Sequence, residues 1–404
     1  MNFLKLLINR GAYKMVYNNS IARFFMGLLV FTFVENSFCT DYHWSANLRY
    51  RLKTDTSNEV EENTMSSFSE MRSRIGFDVL GDNATAHFIL QDSRIIGAPN
   101  NSAGVTGNTI SSTLHQVYFT YEGYKRTFQV GRFELALGNQ RIIAKNNWNN
   151  TGRSFEGILV KRKTQIGERL LFTLPVVETF GTEHDDSKDH VLSGMYWDIN
   201  LTGIGEGSKV EPYIMNYQEV QDNGSYNMFG CRADFKRNSI LFEGEFAMQS
   251  SRRIKANILS LNLGYKTDQF NWLKSLTAGL DIVSGDDPET DDLEGFSKYF
   301  GARHKHHGYY DYGLHKKYFG HTHEGLQELN LKGRFNFLAD SNFLVAVHNF
   351  SSHDGKTEYG NELDLIIKRK VSDDLSSEFG LVFYDPDTGD DLLTFMYVMF
   401  TANL

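Results

Sequence analysis

Residues 259–266 read LSLNLGYK, and this stretch alternates strictly between apolar and polar side chains. Successive side chains of an extended strand point to opposite sides, so such a segment has one apolar face and one polar face. The apolar face carries Leu259, Leu261, Leu263 and Tyr265, and the polar face carries Ser260, Asn262, Gly264 and Lys266. The alternation therefore predicts a β-strand whose two sides meet different surroundings.

The same alternation recurs along the chain, for example in WSANLRYRLK (44–53) and ELNLKGRFNF (328–337). It predicts eighteen strands, and no helical period of comparable length stands out. The predicted strands are 42–54, 67–80, 83–94, 112–123, 125–134, 153–163, 169–179, 190–201, 208–219, 226–236, 239–250, 254–266, 274–284, 325–338, 341–351, 358–370, 373–384 and 389–404.

The connections between the predicted strands alternate in length. Tight turns occupy 81–83, 236–238 and 339–341, whereas long polar connections occupy 55–66, 95–111, 135–152 and 285–324. Short turns at one end, long loops at the other and an even number of antiparallel strands are typical of outer-membrane barrels. We therefore predict an all-β fold, namely a transmembrane antiparallel up-and-down β-barrel of about 18 strands, with long extracellular loops and short periplasmic turns. A barrel of about 16 strands is the alternative count.

The composition excludes a bundle of membrane helices. The chain of 404 residues is 41% hydrophobic and has a mean hydropathy of −0.40, whereas a helical bundle needs several apolar runs of ~20 residues. The long apolar run at 24–34 follows basic residues and precedes small ones, which predicts a signal peptide over 1–39. The remainder, 40–404, is then a single outer-membrane barrel domain. A soluble β-sandwich or β-helix is the alternative, because its inner face would also alternate.

In a membrane barrel the apolar face of each strand contacts lipid, so the charged face lines the lumen. The cations on that polar face include Arg49, Arg51, Arg72, Arg74, Lys332 and Arg334, and the acids include Glu362 and Asp364. Rings of Arg or Lys select anions in pores, and a guanidinium offers two parallel donors to a carboxylate. The pattern favours an anion pathway with 135–152 folded inward as its constriction. A solvated wall of compensating ion pairs is the alternative.

Four ordered stretches resemble the alginate export family of outer-membrane barrels, and together they span most of the chain. They are LQDSRIIG (90–97), GRFELALGNQRIIAKNNWNNTGRSFEG (131–157), the acidic segment 284–313 and GNELDL (360–365). The second is similar to the family signature GRQE-x-x-YGDQR…W-x-x-TGRxFDG, although LGNQR stands in place of YGDQR and Glu156 in place of Asp. The resemblance implies a barrel through which polyuronate chains diffuse.

The resemblance also implies which residues form the pathway. The additional pore-lining cations would be Arg94, Arg132, Arg141 and Arg153. Their acidic partners, or an acidic counter-path, would be Asp92, Glu134, Glu156, Asp311, Glu362 and Asp364.

These observations predict a passive outer-membrane channel of a Gram-negative bacterium for anionic polysaccharide or oligosaccharide, such as an alginate-like polyuronate, in export or uptake. The alternative is a general or small-anion porin without polysaccharide specificity. No G-x-S-x-G nucleophile context is present, so no enzymatic activity is expected. Expected partners are outer-membrane lipid and lipopolysaccharide, the anionic carbohydrate and a periplasmic protein. Nucleic acid is not an expected partner, and the chain is expected to be a monomer.

The long connection 285–324 contains a candidate cation site. Asp286, Asp287, Asp291 and Asp292 supply the oxygen ligands that Ca²⁺ prefers. A solvated acidic loop is the alternative, since the regular ligand spacing of an EF-hand is absent. Histidines of the same connection could bind a transition metal or stack on sugar rings. Apart from Ca²⁺, no cofactor is expected.

Overall fold

The computed structural model describes residues 41–55, 66–96, 109–177, 189–219, 224–298, 300–310, 318–338, 340–387 and 392–404. The predicted signal peptide, 1–39, and Asp311 lie outside these residues. The strands are β1 (Asp41–Asp55), β2 (Ser66–Leu80), β3 (Ala84–Ile96), β4 (Thr109–Gly123), β5 (Arg126–Phe133), β6 (Phe155–Thr164), β7 (Gly167–Val177), β8 (His190–Asn200), β9 (Lys209–Glu219), β10 (Tyr226–Arg237), β11 (Ile240–Ser250), β12 (Lys255–Lys266), β13 (Leu273–Val283), β14 (Leu326–Phe335), β15 (Ser341–Ser351), β16 (Glu358–Lys370), β17 (Leu375–Pro386) and β18 (Leu393–Asn403).

The strands form one closed antiparallel sheet. Each strand pairs with its neighbours in sequence, and β1 also pairs with β18, from Asn47 opposite Asn403 to Asp55 opposite Phe395. Because the first strand is bonded to the last, the sheet has no unpaired edge. The prediction of an 18-strand up-and-down barrel is confirmed, and the alternatives of 16 strands and of a sandwich are wrong. Within the described residues, no helix is long and apolar enough to cross a membrane.

The apolar face of each strand points outward. Leu263 and Leu329, which alternate with polar residues, have 61% and 53% of their surface exposed, whereas large apolar side chains of soluble proteins are mostly buried. On the opposite face, Glu328 and Asn330 are buried inside the barrel. The outer surface therefore suits hydrocarbon, and the polar face of β14 lines the interior as predicted. β6, β7 and β9 differ, because they also turn apolar side chains inward, among them Leu159, Phe172 and Met215.

Two connections fold back into the barrel. Loop A comprises residues 134–154 between β5 and β6, and loop B comprises the described residues 284–298, 300–310 and 318–325 between β13 and β14. Ala144 N of loop A donates to Phe300 O of loop B, and Ala302 N of loop B donates to Gln140 O of loop A, at 2.8 and 2.9 Å. Ala144 is fully buried at this contact. The predicted inward fold of 135–152 is confirmed, and loop B is a second inward segment.

A pair of glycines sets the point at which loop A leaves the sheet. Gly131 of β5 lies opposite Gly157 of β6, and their φ angles are 127° and 144°. A Cβ at Gly131 would collide with Val117 O, and one at Gly157 would collide with Thr173 O. Only glycine adopts this backbone conformation with so close a neighbouring strand. Strand geometry thus requires the glycines that flank loop A.

Adjacent substitutions at Leu261 and Asn262 distinguish the two faces of the barrel. Leu261 is 37% exposed on the outer face, so Leu261→Arg is expected to destabilise the membrane-embedded barrel by about 2–4 kcal/mol. Asn262 lies opposite Glu243 on the inner face, so Asn262→Arg is expected to cost less than about 1 kcal/mol. Urea unfolding from lipid vesicles, followed by the gel mobility of unboiled samples, measures both. Equal destabilisation by the two variants would contradict this assignment of faces.

Candidate functional site

A basic wall lines the lumen at β1 and β2. It consists of Arg49, Arg51, Lys53, Arg72 and Arg74, all on the inner face. Arg49 lies directly opposite Arg72, an arrangement of like charges that is unfavourable by itself. Among the described residues, the carboxylates that form ion pairs with the wall are Glu70 and Glu134. The wall therefore carries more positive charge than its ion pairs neutralise.

Loop A covers the basic wall and engages its donors through backbone carbonyls. Arg49 Nη1 donates to Asn147 O at 2.6 Å, and its Nη2 donates to Asn149 O at 3.0 Å. Arg51 Nη2 donates to Trp148 O at 3.0 Å. Arg49 and Arg51 are only 4% and 0% exposed. The sequence predicted arginines facing an open aqueous lumen, but here neutral carbonyl oxygens occupy the space in front of them.

Glu134 ties the start of loop A to the basic wall. Its Oε1 accepts a hydrogen bond from Arg74 at 2.9 Å and lies 3.0 Å from His115 Nε2. Burial alone would raise the pKa of this carboxyl, but the His115 hydrogen bond and the charges of Arg74 and Lys145 lower that pKa to about 2. Glu134 is therefore ionised throughout the physiological range.

Trp148 of loop A is clamped between the basic wall and loop B. The Arg51 guanidinium carbon lies 4.0 Å from the centre of the indole ring. The His304 ring stacks on Trp148 at 3.7 Å with 12° between the planes, and Tyr309 and Tyr397 contact it edge-on at 5.9 and 5.1 Å. Contacts of these kinds are worth about 0.5–2 kcal/mol each. Trp148 thus joins loop A, loop B and the strands at one point.

An acidic wall faces the other side of loop A. It consists of Glu211, Asp234, Glu243, Glu245 and Asp281 on the inner face of β9 to β13. Arg141 Nη1 donates to Asp281 Oδ2 at 2.6 Å, and its Nε lies 3.7 Å from Glu245 Oε2. Asn139 Nδ2 donates to Glu243 Oε1 at 2.7 Å. Loop A therefore crosses the lumen. Its Glu134 carboxylate binds the basic wall, and its Arg141 guanidinium binds the acidic wall.

Loop B is held to the strands by a buried polar network. His307 Nδ1 lies 2.6 Å from Glu328 Oε2, and His348 Nδ1 lies 2.7 Å from Glu328 Oε1. Tyr309 N donates to Glu362 Oε1 at 2.6 Å. Burial and a neighbouring lysine lower the pKa of His307 to about 4, so its imidazole is neutral at pH 7. Such a network stabilises the inward position of loop B, because each buried polar group depends on its partner.

One part of this network has the convergence that a metal ion would need. Asp281, His307 and Glu328 bring ligand atoms within 4.8 Å of one another in the described part of the chain. Arg141 already donates to Asp281, and His307 is already hydrogen-bonded to Glu328. We therefore interpret the three side chains as anchors of the two loops.

The predicted calcium residues lie near the start of loop B, where protein groups engage several of them. Asp286 Oδ1 accepts from Glu294 N at 2.9 Å, and Asp287 Oδ1 accepts from Glu289 N at 3.0 Å. Asp292 forms an ion pair with Lys255. Binding of Ca²⁺ by Asp286, Asp287, Asp291 and Asp292 stays a prediction.

The structure differs from the sequence prediction at Arg132 and Glu156. Their ion pair, 3.0 Å between Nη1 and Oε1, joins residues that face each other across β5 and β6. The next pair, Phe133 and Phe155, is buried inside the barrel. Because side chains alternate along a strand, Arg132 and Glu156 must point outward. They flank the lumen-facing phenylalanines and do not line the lumen.

Asp92 and Arg94 also lie on the outer face, contrary to the prediction. Gln91 Nε2 donates to Thr151 O, and Ser93 Oγ donates to Asn150 O, both inside the barrel. Asp92 and Arg94 alternate with these residues and therefore face outward, where they pair with each other at 2.6 Å. The family resemblance assigned Asp92 and Arg94 to the lumen, whereas the alternation along β3 places them on the face opposite to Gln91 and Ser93.

The other predicted cations lie inside the barrel. Lys332 Nζ donates to His306 O at 3.3 Å, and Arg334 shares the inner face of β14. Arg153 of loop A donates to Phe300 O, and burial together with the nearby charge of Arg303 lowers its pKa to about 10.

Of the predicted acids, Glu134 and Glu362 lie in the contacts already described. Asp364 Oδ2 lies 3.4 Å from His348 Nε2 inside the barrel. The described part of the chain thus places three predicted acids in the lumen.

Residues 41–402 match the family model described as alginate export. The chain belongs to the alginate export family. Within this family member, the basic wall, loop A and loop B occupy the interior of the barrel. None of the curated proteins compared with the chain matches it.

Solved outer-membrane proteins share the fold of this alginate export family member. The outer membrane protein OpdK from Pseudomonas aeruginosa aligns with a TM-score of 0.63 and 10% identity, covering 91% of this chain and 100% of that chain. OpdQ from Pseudomonas aeruginosa gives 0.62 and 10%, covering 91% and 98%. A BenF-like porin from Pseudomonas fluorescens Pf-5 gives 0.59 and 11%, covering 91% and 100%. At such identities the likeness shows the fold alone.

The sequence pattern does not reveal that the residues which anchor loop B lie close together. Asp281, Glu328 and His348 occupy polar positions in the alternating strands β13, β14 and β15, so their inward orientation was predictable. Their mutual proximity depends on register, which single strands do not reveal. His307 lies in a connection without periodicity, so nothing in the sequence placed it beside Glu328.

Glu134→Gln tests the anchor of loop A, and its pH dependence has a defined sign. Because the folded-state pKa is about 2 against an ordinary value of 4.5, the stabilisation is full above about pH 4.5 and is lost as the pH falls toward 2. We expect wild type to exceed the variant by about 2–3 kcal/mol in unfolding free energy at pH 7, and the difference to shrink below pH 4.5. Urea unfolding in vesicles at several pH values measures it. A difference independent of pH would contradict the pairing.

Arg141→Gln tests the contact between loop A and the acidic wall. The substitution leaves Asp281 and Glu245 buried without their shared cation, a loss of roughly 3–5 kcal/mol for such pairs. We expect loop A to detach, raising single-channel conductance about twofold or more by widening the lumen. Arg132→Gln, which removes an outward-facing ion pair, is the matched control and should leave conductance unchanged. Equal conductance of wild type and the Arg141 variant would show that loop A is held by other contacts.

Proposed function

We propose that this protein is a passive outer-membrane channel for anionic polysaccharide or oligosaccharide of the polyuronate class, in export or uptake. Membership of the alginate export family and the porin-like barrel support a channel. The observation that supports an anionic substrate is the excess positive charge of the basic wall inside the lumen. Guanidinium groups match carboxylates in shape and charge, so a polyuronate chain is the ligand that this wall suits.

Basic residues continue from the wall toward the end of the barrel that carries the short turns. Lys332 and Arg334 lie on the inner face of β14. Beyond them a cavity of about 800 Å³ is lined in part by Lys274, Lys368 and Lys370. Lys368 pairs there with Glu378 and Lys370 with Asp373. A polymer touches several cations at once, whereas a small anion needs one site, so an extended basic track favours a polymer.

Passage of a chain requires loops A and B to move. Carboxylates of a polyuronate would replace the carbonyls of Asn147, Trp148 and Asn149 in front of Arg49 and Arg51. The guanidinium donors are already charged in their bonds to carbonyls, but a carboxylate acceptor adds an opposite charge and accepts two parallel hydrogen bonds, so the polyanion competes favourably for these donors. The polymer would thereby open its own path.

A small-anion porin is the second candidate function. The observation that favours it is the crossing of the lumen by loops A and B, which contact each other through Ala144 and Phe300. If the loops stay in place, the remaining space admits only small solutes. The two functions differ in whether oligouronates block the current.

We propose no catalytic activity for the barrel. His348 is 3% exposed and is engaged with Glu328 and Asp364. A general base must reach its substrate, and this histidine has no open approach among the described residues. Hydrolase activity lost on His348→Ala would overturn the proposal.

The proposed location is the outer membrane of a Gram-negative bacterium, with the long loops outside and the short turns in the periplasm. Outer-membrane lipid and lipopolysaccharide would surround the apolar face, and a periplasmic protein would deliver or receive the carbohydrate. We propose a monomer, since one barrel encloses a complete lumen, and no role in nucleic-acid binding.

Reversal potentials in planar bilayers test the function. Wild type should select anions across a KCl gradient, and oligouronates should block its current in a concentration-dependent way. The double variant Arg49→Gln/Arg72→Gln removes two cations that, among the described residues, donate hydrogen bonds to loop A and not to a carboxylate. It should lower the anion-to-cation permeability ratio about threefold or more and weaken the block about tenfold.

The control is Arg94→Gln/Arg132→Gln, which removes two arginines from the outer face. Its selectivity and block should equal those of wild type, although its formal charge changes by the same amount. Neutral oligosaccharides of equal length provide the ligand control. Anion selectivity without oligouronate block would favour the small-anion porin, and no anion selectivity would reject both candidates.

A further inference from the structure

Three arginines form a row on the outer face of the barrel near the short turns. Arg126 of β5 lies opposite Arg162 of β6, and Arg162 lies opposite Arg169 of β7. All three are exposed. Arg126 is the first residue of β5, directly after the turn from β4. Arg162 and Arg169 lie two residues from the ends of the turn between β6, which ends at Thr164, and β7, which begins at Gly167. Neighbouring strands are about 4.8 Å apart, so the row spans about 10 Å.

The row faces outward because the alternation of β5 to β7 allows no other direction. Phe128, Val160 and Leu171 form the next row on the same face, and Phe128 and Leu171 are exposed by 39% and 52%. The inward residue Leu170, next to Arg169, is buried. The arginines are therefore at the border of the apolar outer band, in contact with the edge of the bilayer and not with the lumen.

This row lacks a protein anion. Like charges placed directly opposite each other destabilise a sheet, so three arginines in register need compensation. On the described outer face of β5 to β8 the carboxylate is Glu156, which pairs with Arg132 at the far end of β5. None of Arg126, Arg162 and Arg169 has a carboxylate partner among the ion pairs of the described residues. The described residues therefore supply no carboxylate to the row, and an anion from outside the chain would compensate it.

Trp197 extends the row to a fourth strand and gives it the character of a bilayer interface. It lies opposite Arg169 in register, and the Arg169 guanidinium carbon is 3.9 Å from the centre of its ring. Its indole Nε1 is buried and has no acceptor among the described residues. Tryptophan and arginine favour the level of lipid headgroups, where an apolar side and a polar tip are both accommodated. The Trp197 ring thus supports the Arg169 guanidinium at the headgroup level.

We propose that Arg126, Arg162 and Arg169, the last of which stacks on Trp197, bind the phosphate of an anionic glycerophospholipid in the leaflet next to the short turns. A phosphodiester supplies the missing negative charge and accepts several hydrogen bonds from guanidinium groups. Its acyl chains continue along Phe128, Val160 and Leu171 into the apolar band. The site is separate from the lumen and does not depend on what the channel carries.

Native mass spectrometry of the folded, delipidated barrel in detergent tests the site. Phosphatidylglycerol and phosphatidylcholine of equal chain length are titrated in parallel. Wild type should retain phosphatidylglycerol about tenfold more tightly than phosphatidylcholine, and Arg126→Gln/Arg162→Gln/Arg169→Gln should abolish that preference. The triple lysine variant keeps the charge and should retain most of it. Gel mobility of unboiled samples shows that each variant is folded, and Arg162→Gln alone, with a smaller loss, replaces the triple variant if that does not fold.

The matched control is Lys161→Gln/Lys163→Gln. These lysines alternate with Arg162 on β6 and therefore face the lumen. Their removal should leave the lipid preference unchanged. Three results would overturn the proposal: equal retention of both lipids by wild type, an undiminished preference in the arginine variants, or loss of the preference in the lysine control. Competition by millimolar inorganic phosphate would indicate a site for the free ion and would also overturn it.

Discussion

Closure of the backbone hydrogen-bond ladder is the constraint on which the structure depends. Hydrocarbon offers no partner to a peptide N–H or C=O, so a strand can cross it only with neighbours on both sides. The pairing of β1 with β18 meets this requirement for the whole sheet. Once the sheet closes, the apolar face must be the outer one, because lipid stands where a soluble protein has its core. The polar residues of every strand are then enclosed, and their charges must be balanced within the lumen.

Opposite charges lie on opposite sides of the lumen, and loop A connects the two sides. Cations gather on β1 and β2, acids gather on β9 to β13, and loop A spans the two with Glu134 at one side and Arg141 at the other. Neutral carbonyls and Trp148 complete the contact with the basic wall. Loop B adds a second layer, held by Glu328 between two histidines. The interior therefore combines a buried apolar cluster, which includes Phe133, Ile143 and Phe172, with polar contacts at the two charged walls.

Most of the fold could be predicted from the sequence, because the period of two and the unequal connections are local properties. Strand count and most bounds follow directly, as LSLNLGYK in β12 illustrates. The lumen was harder to predict. Arg49, Arg51, Arg72 and Arg74 alternate with apolar residues, so their direction was clear. Arg94 and Arg132 were placed by family motif, and the alternation around Ser93 and Phe133 overrides it. The burial of the basic wall could not be foreseen, since it depends on the path of loop A.

The short length of β5 has a consequence for the surrounding membrane. β5 has 8 residues, and its outward side chains begin with Arg126 and end with Arg132. Six residues at ~3.3 Å each span ~20 Å along the strand, or ~15 Å along the membrane normal at a tilt of ~40°. The apolar band of such barrels is ~25 Å tall. A bilayer that meets this side of the barrel must become thinner there, or the two arginines must extend toward opposite headgroup layers. The barrel therefore presents a hydrophobic mismatch at β5, which orders the lipid next to this strand.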